Sequence, residues 1–191
     1  MKRLREENIN TKEYFDDQFD DKPVDKVNLL RQEKYLEHVK NGDKVVELGC
    51  GLSYFPEMAR LHGAYSYGLD FSEKAVNKLI ESFPKTNFVI GDATKTPFDS
   101  AEFDVVVSGE VLEHIEVPQT LIDEMARICR PGGKIIISTP HLEFDDPEHI
   151  WEFDEKDLQE MMGKYGETKV ETLKSTKFPG REYLIAVTTK V

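Results

Sequence analysis

The chain has 191 residues, which suits one domain with a core large enough to fold without staples. Its net charge of −12 argues against a broad nucleic-acid surface, because neutralising phosphates takes clustered Lys and Arg, and the acidic excess reads first as solubility. No apolar run approaches a membrane span, the start M-K-R-L-R-E-E is no signal peptide, and Cys50 and Cys129 are too few for a disulfide framework, so a cytoplasmic protein with reduced thiols is expected.

Residues 1–40 precede the sheet. Asn10 or Thr11 is expected to cap a short helix carrying Tyr14, Phe15 and Phe19, which Pro23 breaks. A second helix is expected from about Asp25 to Val39, with Val27, Leu30, Tyr35, Leu36 and Val39 on one face and Asn41-Gly42 as its stop. Two readings stay open for this segment: helices packed on the sheet edge, and a lid in which Tyr14, Phe15 or Phe19 covers a ligand.

From Lys44 the pattern changes to K-V-V-E-L-G-C-G-L-S-Y-F, an apolar run stopped by Gly49 and Gly51 and followed by a helix to Leu61. Glycines there allow a sharp turn and the close approach of a ligand. A second run, Ala64 to Leu69, ends at Asp70, about 20 residues beyond the glycines, the placement that holds ribose hydroxyls. Ser72 caps a helix to Phe83 with Ala75, Val76, Leu79, Ile80 and Phe83 as its stripe. Strands follow at Asn87–Ile90, which ends in Gly91-Asp92, at Phe103–Ser108, and at Lys134–Ser138 after a helix from Pro118 to Cys129. Asp154 caps a last helix, and Thr168–Leu173 and Glu182–Thr189 alternate across K-F-P-G as a hairpin. Strands alternating with helices argue for an α/β, doubly wound, mostly parallel sheet.

Glu47, just before the first glycine, suits an ammonium or sulfonium ligand and repels a pyrophosphate. The E-L-G-C-G turn, G-L-D-F after the second strand and G-D-A after the third resemble the class I S-adenosylmethionine-dependent methyltransferases, over about Asn41 to Pro140, with Ser53 where many members have a third glycine. The resemblance implies a seven-stranded Rossmann-like sheet closing in an antiparallel hairpin. It divides a single domain, 1–191, into the N-terminal helical segment 1–40, a cofactor-binding core 41–140, and an acceptor loop, helix and hairpin 141–191. It also implies S-adenosylmethionine as cofactor and S-adenosylhomocysteine as product. Glu47, Gly49, Cys50 and Gly51 would face the amino-acid and sulfonium part, Asp70 the ribose, and Phe71 the adenine face. Asp92 and Ala93 would take the adenine edge, and Ser108 the methionine amine through its backbone.

After the fourth strand, Glu110, Glu113 and His114 have helical spacing i, i+3 and i+4, and His141 and His149 follow the fifth. One reading is a divalent metal site (Mg²⁺, Mn²⁺ or Zn²⁺) of Glu110, Glu113, His114 and His149, which would lower the pKa of an acceptor hydroxyl. The E-x-x-E-H element resembles the ubiquinone-pathway O-methyltransferases and the small-RNA 3′-terminal 2′-O-methyltransferases. A second reading makes His114 or His149, with Glu113, a metal-free general base. A third is structural packing. The expected function is methyl transfer to an oxygen, or a nitrogen, of a small-molecule acceptor. Metal-dependent 2′-O-methylation of an RNA 3′ end is the alternative, against which Arg127, Arg130 and Lys134 are too few for a basic patch. A non-catalytic S-adenosylmethionine-binding module is the alternative of another class, against which this much ionisable chemistry argues.

Overall fold

The structure is a computed structural model, and it describes residues 1–20, 29–141, 146–175 and 180–191. Strand β1 (Lys2–Arg3) and helices α1 (Lys12–Asp20) and α2 (Leu29–Leu36) come first. The alternating run is β2 (Lys44–Leu48), α3 (Phe55–Leu61), β3 (Tyr65–Asp70), α4 (Glu73–Ser82), β4 (Asn87–Ile90), β5 (Phe103–Gly109), α5 (Pro118–Ile128) and β6 (Cys129–His141). Then follow β7 (Trp151–Glu152), α6 (Glu155–Gly163), β8 (Gly166–Lys174) and β9 (Glu182–Lys190). The main sheet has the order β4-β3-β2-β5-β6-β9-β8, parallel from β4 to β6 and antiparallel beyond. The expected doubly wound sheet is present, and its hairpin inserts β9 between β6 and β8.

Side chains alternate across a strand, so the central apolar runs feed two cores. Val46, Leu48, Val106, Ile135 and Ile137 pack with Leu121, Ile122 and Met125 of α5 and Leu158 and Met162 of α6. Val45, Val105, Val107 and Ile136 pack on the other face with Tyr35 of α2 and Phe55 and Ala59 of α3. A sheet covered on both faces is what near-continuous apolar strands require. The helix starts follow their caps. Thr11 Oγ1 accepts from the Tyr14 N–H at 3.2 Å, Ser72 Oγ from the Ala75 N–H at 3.2 Å, and Asp154 shares a reciprocal capping box with Asp157.

Several expectations need correction. Helix α2 stops at Leu36 rather than Val39, because the chain tightens into bonds from His38 to Tyr35 and from Val39 to Leu36 before Gly42 turns at φ +88°. Its expected start, with Val27, and the breaker Pro23 lie outside the described residues, as do Leu142–Asp145 and the K-F-P of the hairpin turn. Ile80 is exposed, off the buried stripe of α4. Helix α5 passes directly into β6, which begins at Cys129 and reaches His141 because β9 pairs along it as far as Glu182. The segment with Glu110, Glu113 and His114 is a single 3₁₀ turn, Leu112–His114, with Glu110 outside it at φ +58°, so the three do not share a helical face. One pairing has no signal in the sequence: β1 lies antiparallel to β7, with Lys2 opposite Glu152 and Arg3 opposite Trp151.

Candidate active site

Strand order reverses at β2, whose neighbours are β3 and β5, and ligands of open α/β sheets bind outside the carboxyl ends of the strands at such a point. A cavity of about 440 Å³ opens there. Its walls come from consecutive strand ends: Gly49 and Gly51 after β2, Asp70 and Phe71 after β3, Asp92 and Ala93 after β4, and Glu110, Val111 and His114 after β5. Gly49 and Gly51 turn at φ +69° and +46°, and a Cβ on Gly49 would collide with Val111. Asp70 brackets the turn: its carboxylate accepts the Gly51 N–H at 2.7 Å and the Ser72 N–H at 2.8 Å. Burial holds the Asp70 carboxyl above its ordinary range even so. One oxygen of Asp92 is occupied by Thr94, through its N–H and hydroxyl, both at 2.7 Å.

Glu47, Cys50 and Ser108 lie outside the cavity wall. Cys50 and Ser108 are buried, the Cys50 N–H donating to the Leu69 carbonyl and the Ser108 hydroxyl to that of Leu48. Glu47 faces α2, where burial pushes its carboxyl up to about 8, against the pull of Ser53 and Arg31. Its Oε2 has no hydrogen-bond partner, nor have Oε1 of Gln32 or Nε and Nη1 of Arg31, though Nη1 lies off-axis at 2.6 Å from Glu110 Oε2. Sequence reasoning missed Arg31 and Gln32. The available signal was that Arg31 and Tyr35 share a face of α2, so a guanidinium was bound for the buried side.

The acceptor-side residues fall into two groups. Glu110 joins a polar network: Arg31, stacked at 4.4 Å on the Tyr183 ring, pairs with it, and Ser138, bonded to the Tyr35 hydroxyl at 2.5 Å, donates to its Oε1 at 3.0 Å. Glu113, His114 and His149 form the other, with one ligand-type atom of each within 4.8 Å of the others. Glu113 Oε1 is buried without a hydrogen-bond partner, 3.8 Å from His114 Nε2 and 4.0 Å from His149 Nε2, while Thr139 holds Oε2 at 3.1 Å. Burial raises the Glu113 carboxyl well above its ordinary range, with Glu110 adding to the effect. Burial lowers His114, and lowers His149 to about 4, so both rings are neutral at pH 7. His114 Nδ1 lies 2.9 Å from the Glu148 carbonyl; a carbonyl only accepts, so the proton sits on Nδ1 and Nε2 keeps its lone pair. His141 instead turns to Glu182 at 3.5 Å.

The N-terminal segment contributes to the wall of this cavity. Phe15 and Phe19 line it, the Phe19 ring reaching 3.2 Å from where a Cβ on Gly51 would lie. Phe15 lies between the rings of Phe71 at 5.6 Å and His114 at 5.8 Å. Asp16 is bonded to the Ser72 hydroxyl at 2.5 Å, and Tyr14 to the Glu148 carboxylate at 2.8 Å.

Residues 46–137 match the family model described as a methyltransferase domain. A ubiquinone biosynthesis O-methyltransferase of Coxiella burnetii is 32% identical over 129 residues, 64% of this chain and 55% of that protein. A probable S-adenosylmethionine-dependent methyltransferase of Mycolicibacterium smegmatis is 30% identical over 146 residues, 72% of this chain and 57% of that protein. The chain thus spans about half the length of the curated relatives it matches. Among solved structures, the complex between the Haloferax volcanii Trm112 methyltransferase activator and a putative methyltransferase aligns at TM-score 0.72 and 21% identity, over 92% of this chain and 97% of that one, a likeness of fold.

Proposed function

We propose, on the premise that this chain is of the class I S-adenosylmethionine-dependent methyltransferase family, with the methyltransferase domain at residues 46–137, that it transfers a methyl group from S-adenosylmethionine to a small-molecule acceptor, oxygen being favoured over nitrogen. One observation carries the cofactor part: Nε of Arg31, Oε1 of Gln32 and Oε2 of Glu47 are buried without a hydrogen-bond partner. Such a group costs about 1–3 kcal/mol when left unpaired. A zwitterionic amino-acid end offsets that cost, its ammonium on Glu47 and its carboxylate on Arg31. Asp70 would hold the ribose, Phe71 the adenine face, and Asp92 with Ala93 the adenine edge, all of which line the cavity. Gly49, Cys50, Gly51 and Ser108 would contribute backbone.

When bound, S-adenosylmethionine supplies a methyl group on a positively charged sulfur, already activated. The chain's own task is to align the acceptor and take its proton. His114 does the latter: its ring is neutral, its Nε2 lone pair is available, and it lines the cavity. Glu113 Oε1 lies 3.8 Å from that nitrogen, and His149 Nε2 lies 4.0 Å from the same oxygen. The N-terminal segment acts as a lid that excludes water. The ubiquinone-pathway relatives support oxygen as the acceptor atom. Two buried free thiols support a reducing, cytoplasmic setting.

A second reading rests on the unpartnered Glu113 oxygen between two neutral histidines: Glu113, His114 and His149 would hold a divalent cation, and Glu110 joins only if it leaves Arg31. The ion would polarise an acceptor hydroxyl.

Tritiated S-adenosylmethionine incubated with a panel of phenols, catechols, alcohols and amines tests the function, beside His114→Gln and with added Mn²⁺ or a chelator. Label transfer lost in His114→Gln and indifferent to chelator supports the base. Transfer that requires Mn²⁺ supports the cation. Cofactor that fails to bind at all would sink both readings.

A further inference from the structure

Asn10 is tied to both sides of the acceptor chemistry. Its Nδ2 donates to the carbonyl of His114 at 3.2 Å and to the carbonyl of Glu148 at 2.8 Å. Both partners only accept, so the amide nitrogen faces them and Oδ1 turns away. The same Glu148 carbonyl accepts from His114 Nδ1. Asn10 therefore bridges the backbone of the histidine and the backbone group that fixes its ring.

We propose that Asn10 is a positioning residue for His114. It holds the Glu148 carbonyl against Nδ1 and so fixes the tautomer whose Nε2 lone pair faces Glu113 and the acceptor. Its catalytic meaning rests on the reading of His114 as the group that takes the acceptor's proton. With the proton on Nε2 instead, that nitrogen can neither accept from a hydroxyl nor ligate a cation. Placement adds a second consequence. Asn10 stands just ahead of α1, whose Phe15 lies against His114 and Phe71 over the cavity. Closing the lid and arming the base are one event, because the segment that covers the ligands carries the residue that sets the tautomer.

The test is long-range ¹H–¹⁵N correlation spectroscopy of the full chain with ¹⁵N-labelled histidine, saturated with S-adenosylhomocysteine. His114 is assigned among the five histidines by the signals lost in His114→Gln. In the unmodified chain Nδ1 resonates as the protonated nitrogen and Nε2 as the unprotonated one. Asn10→Ala shifts the tautomer ratio about fivefold toward the Nε2-protonated form, the worth of one hydrogen bond. Asn10→Asp, the same size but without the donor, moves it at least as far and guards against loss of packing as the cause. Tyr14→Phe, which leaves the carbonyl bridge intact, moves it less. Unchanged His114 nitrogen shifts in both Asn10 variants, with the rest of the spectrum intact, overturn the proposal. The base reading fails separately: methyl transfer retained in His114→Gln removes it, whatever the spectra of the Asn10 variants show.

Discussion

Glu47 carries the sharpest consequence at the scale of one residue. Burial favours its neutral form, so with a pKa of about 8 it holds its proton at pH 7 in the free protein. A ligand ammonium beside it favours the ionised form. Cofactor binding at pH 7 is therefore expected to release a proton, and affinity to rise with pH and level off above about 8. Calorimetry in phosphate and in Tris buffer gives the proton count from the difference in apparent enthalpy, and Glu47→Gln abolishes it. Equal apparent enthalpies in the two buffers for the unmodified chain contradict the assignment. The sign for folding is the opposite. The native state binds more protons than the unfolded one between the ordinary carboxyl value and about 8, so this residue's contribution to stability falls as pH rises through that window, and Glu47→Gln flattens the fall. Gly49 makes a different demand. Ala there pays for a left-handed φ of +69°, about 1–2 kcal/mol, and adds a collision with Val111, so a loss exceeding about 2 kcal/mol is expected from urea unfolding.

Among the elements, the N-terminal segment shows most clearly what a sequence carries and what it does not. Strands β2, β3 and β5 were legible because their apolar runs end at Gly or Asp, and α4 and α6 because Ser72 and Asp154 cap them. The clustering of Gly49, Gly51, Asp70, Phe71, Asp92 and Ala93 was legible too, because each follows the end of a strand, and the sheet brings those ends to one cavity. Strand β1 was not, since Lys2 and Arg3 have no periodicity and their partners lie about 150 residues on. Nor was the direction of Glu110, which φ +58° turns toward Arg31 and Ser138, away from the face that its spacing suggests. Phe15 and Phe19 could be named as candidate covers, but only the packing places them on Phe71 and Gly51. Truncating Phe19 to Ala is expected to weaken S-adenosylmethionine binding about tenfold, the scale of losing part of a buried aromatic side chain. Hydrogen exchange should show residues 1–20 protected when the cofactor is bound and faster in that variant. Equal exchange with and without cofactor argues that the segment packs on the sheet edge and covers nothing.

At the scale of the whole molecule, charge decides which acceptors fit. Among the described residues, the charged side chains lining the cavity are Asp70, Asp92, Glu110 and Glu116, beside His114, with no Lys or Arg. Two cations pair with carboxylates of the wall: Arg3 with Glu116 at 2.7 Å, and Arg31 with Glu110, the guanidinium proposed to take the carboxylate end of the cofactor. Outside the cavity, Arg127 is held by Glu124, Arg130 by Asp104, and Lys134 donates to the Thr189 hydroxyl at 2.6 Å, so each of the three basic residues already has a partner within the chain. The chain as a whole carries −12. An anionic acceptor would meet like charge at long range and find no cation among the described residues of the cavity wall; a neutral or cationic one meets neither cost. The expected outcome is that a catechol, phenol or amine is methylated while its phosphorylated counterpart is not, and that a short RNA with a free 3′ end shows no anisotropy change at micromolar protein in 50 mM salt. Repulsion between exposed charges is screened by salt, so the residual reaction of the phosphorylated compound should rise between 50 and 200 mM, whereas phosphate contacts would make RNA binding fall steeply over that range. Micromolar RNA binding that weakens with salt would mean that a cationic surface forms on binding, and the RNA-end reading would then displace the small-molecule one.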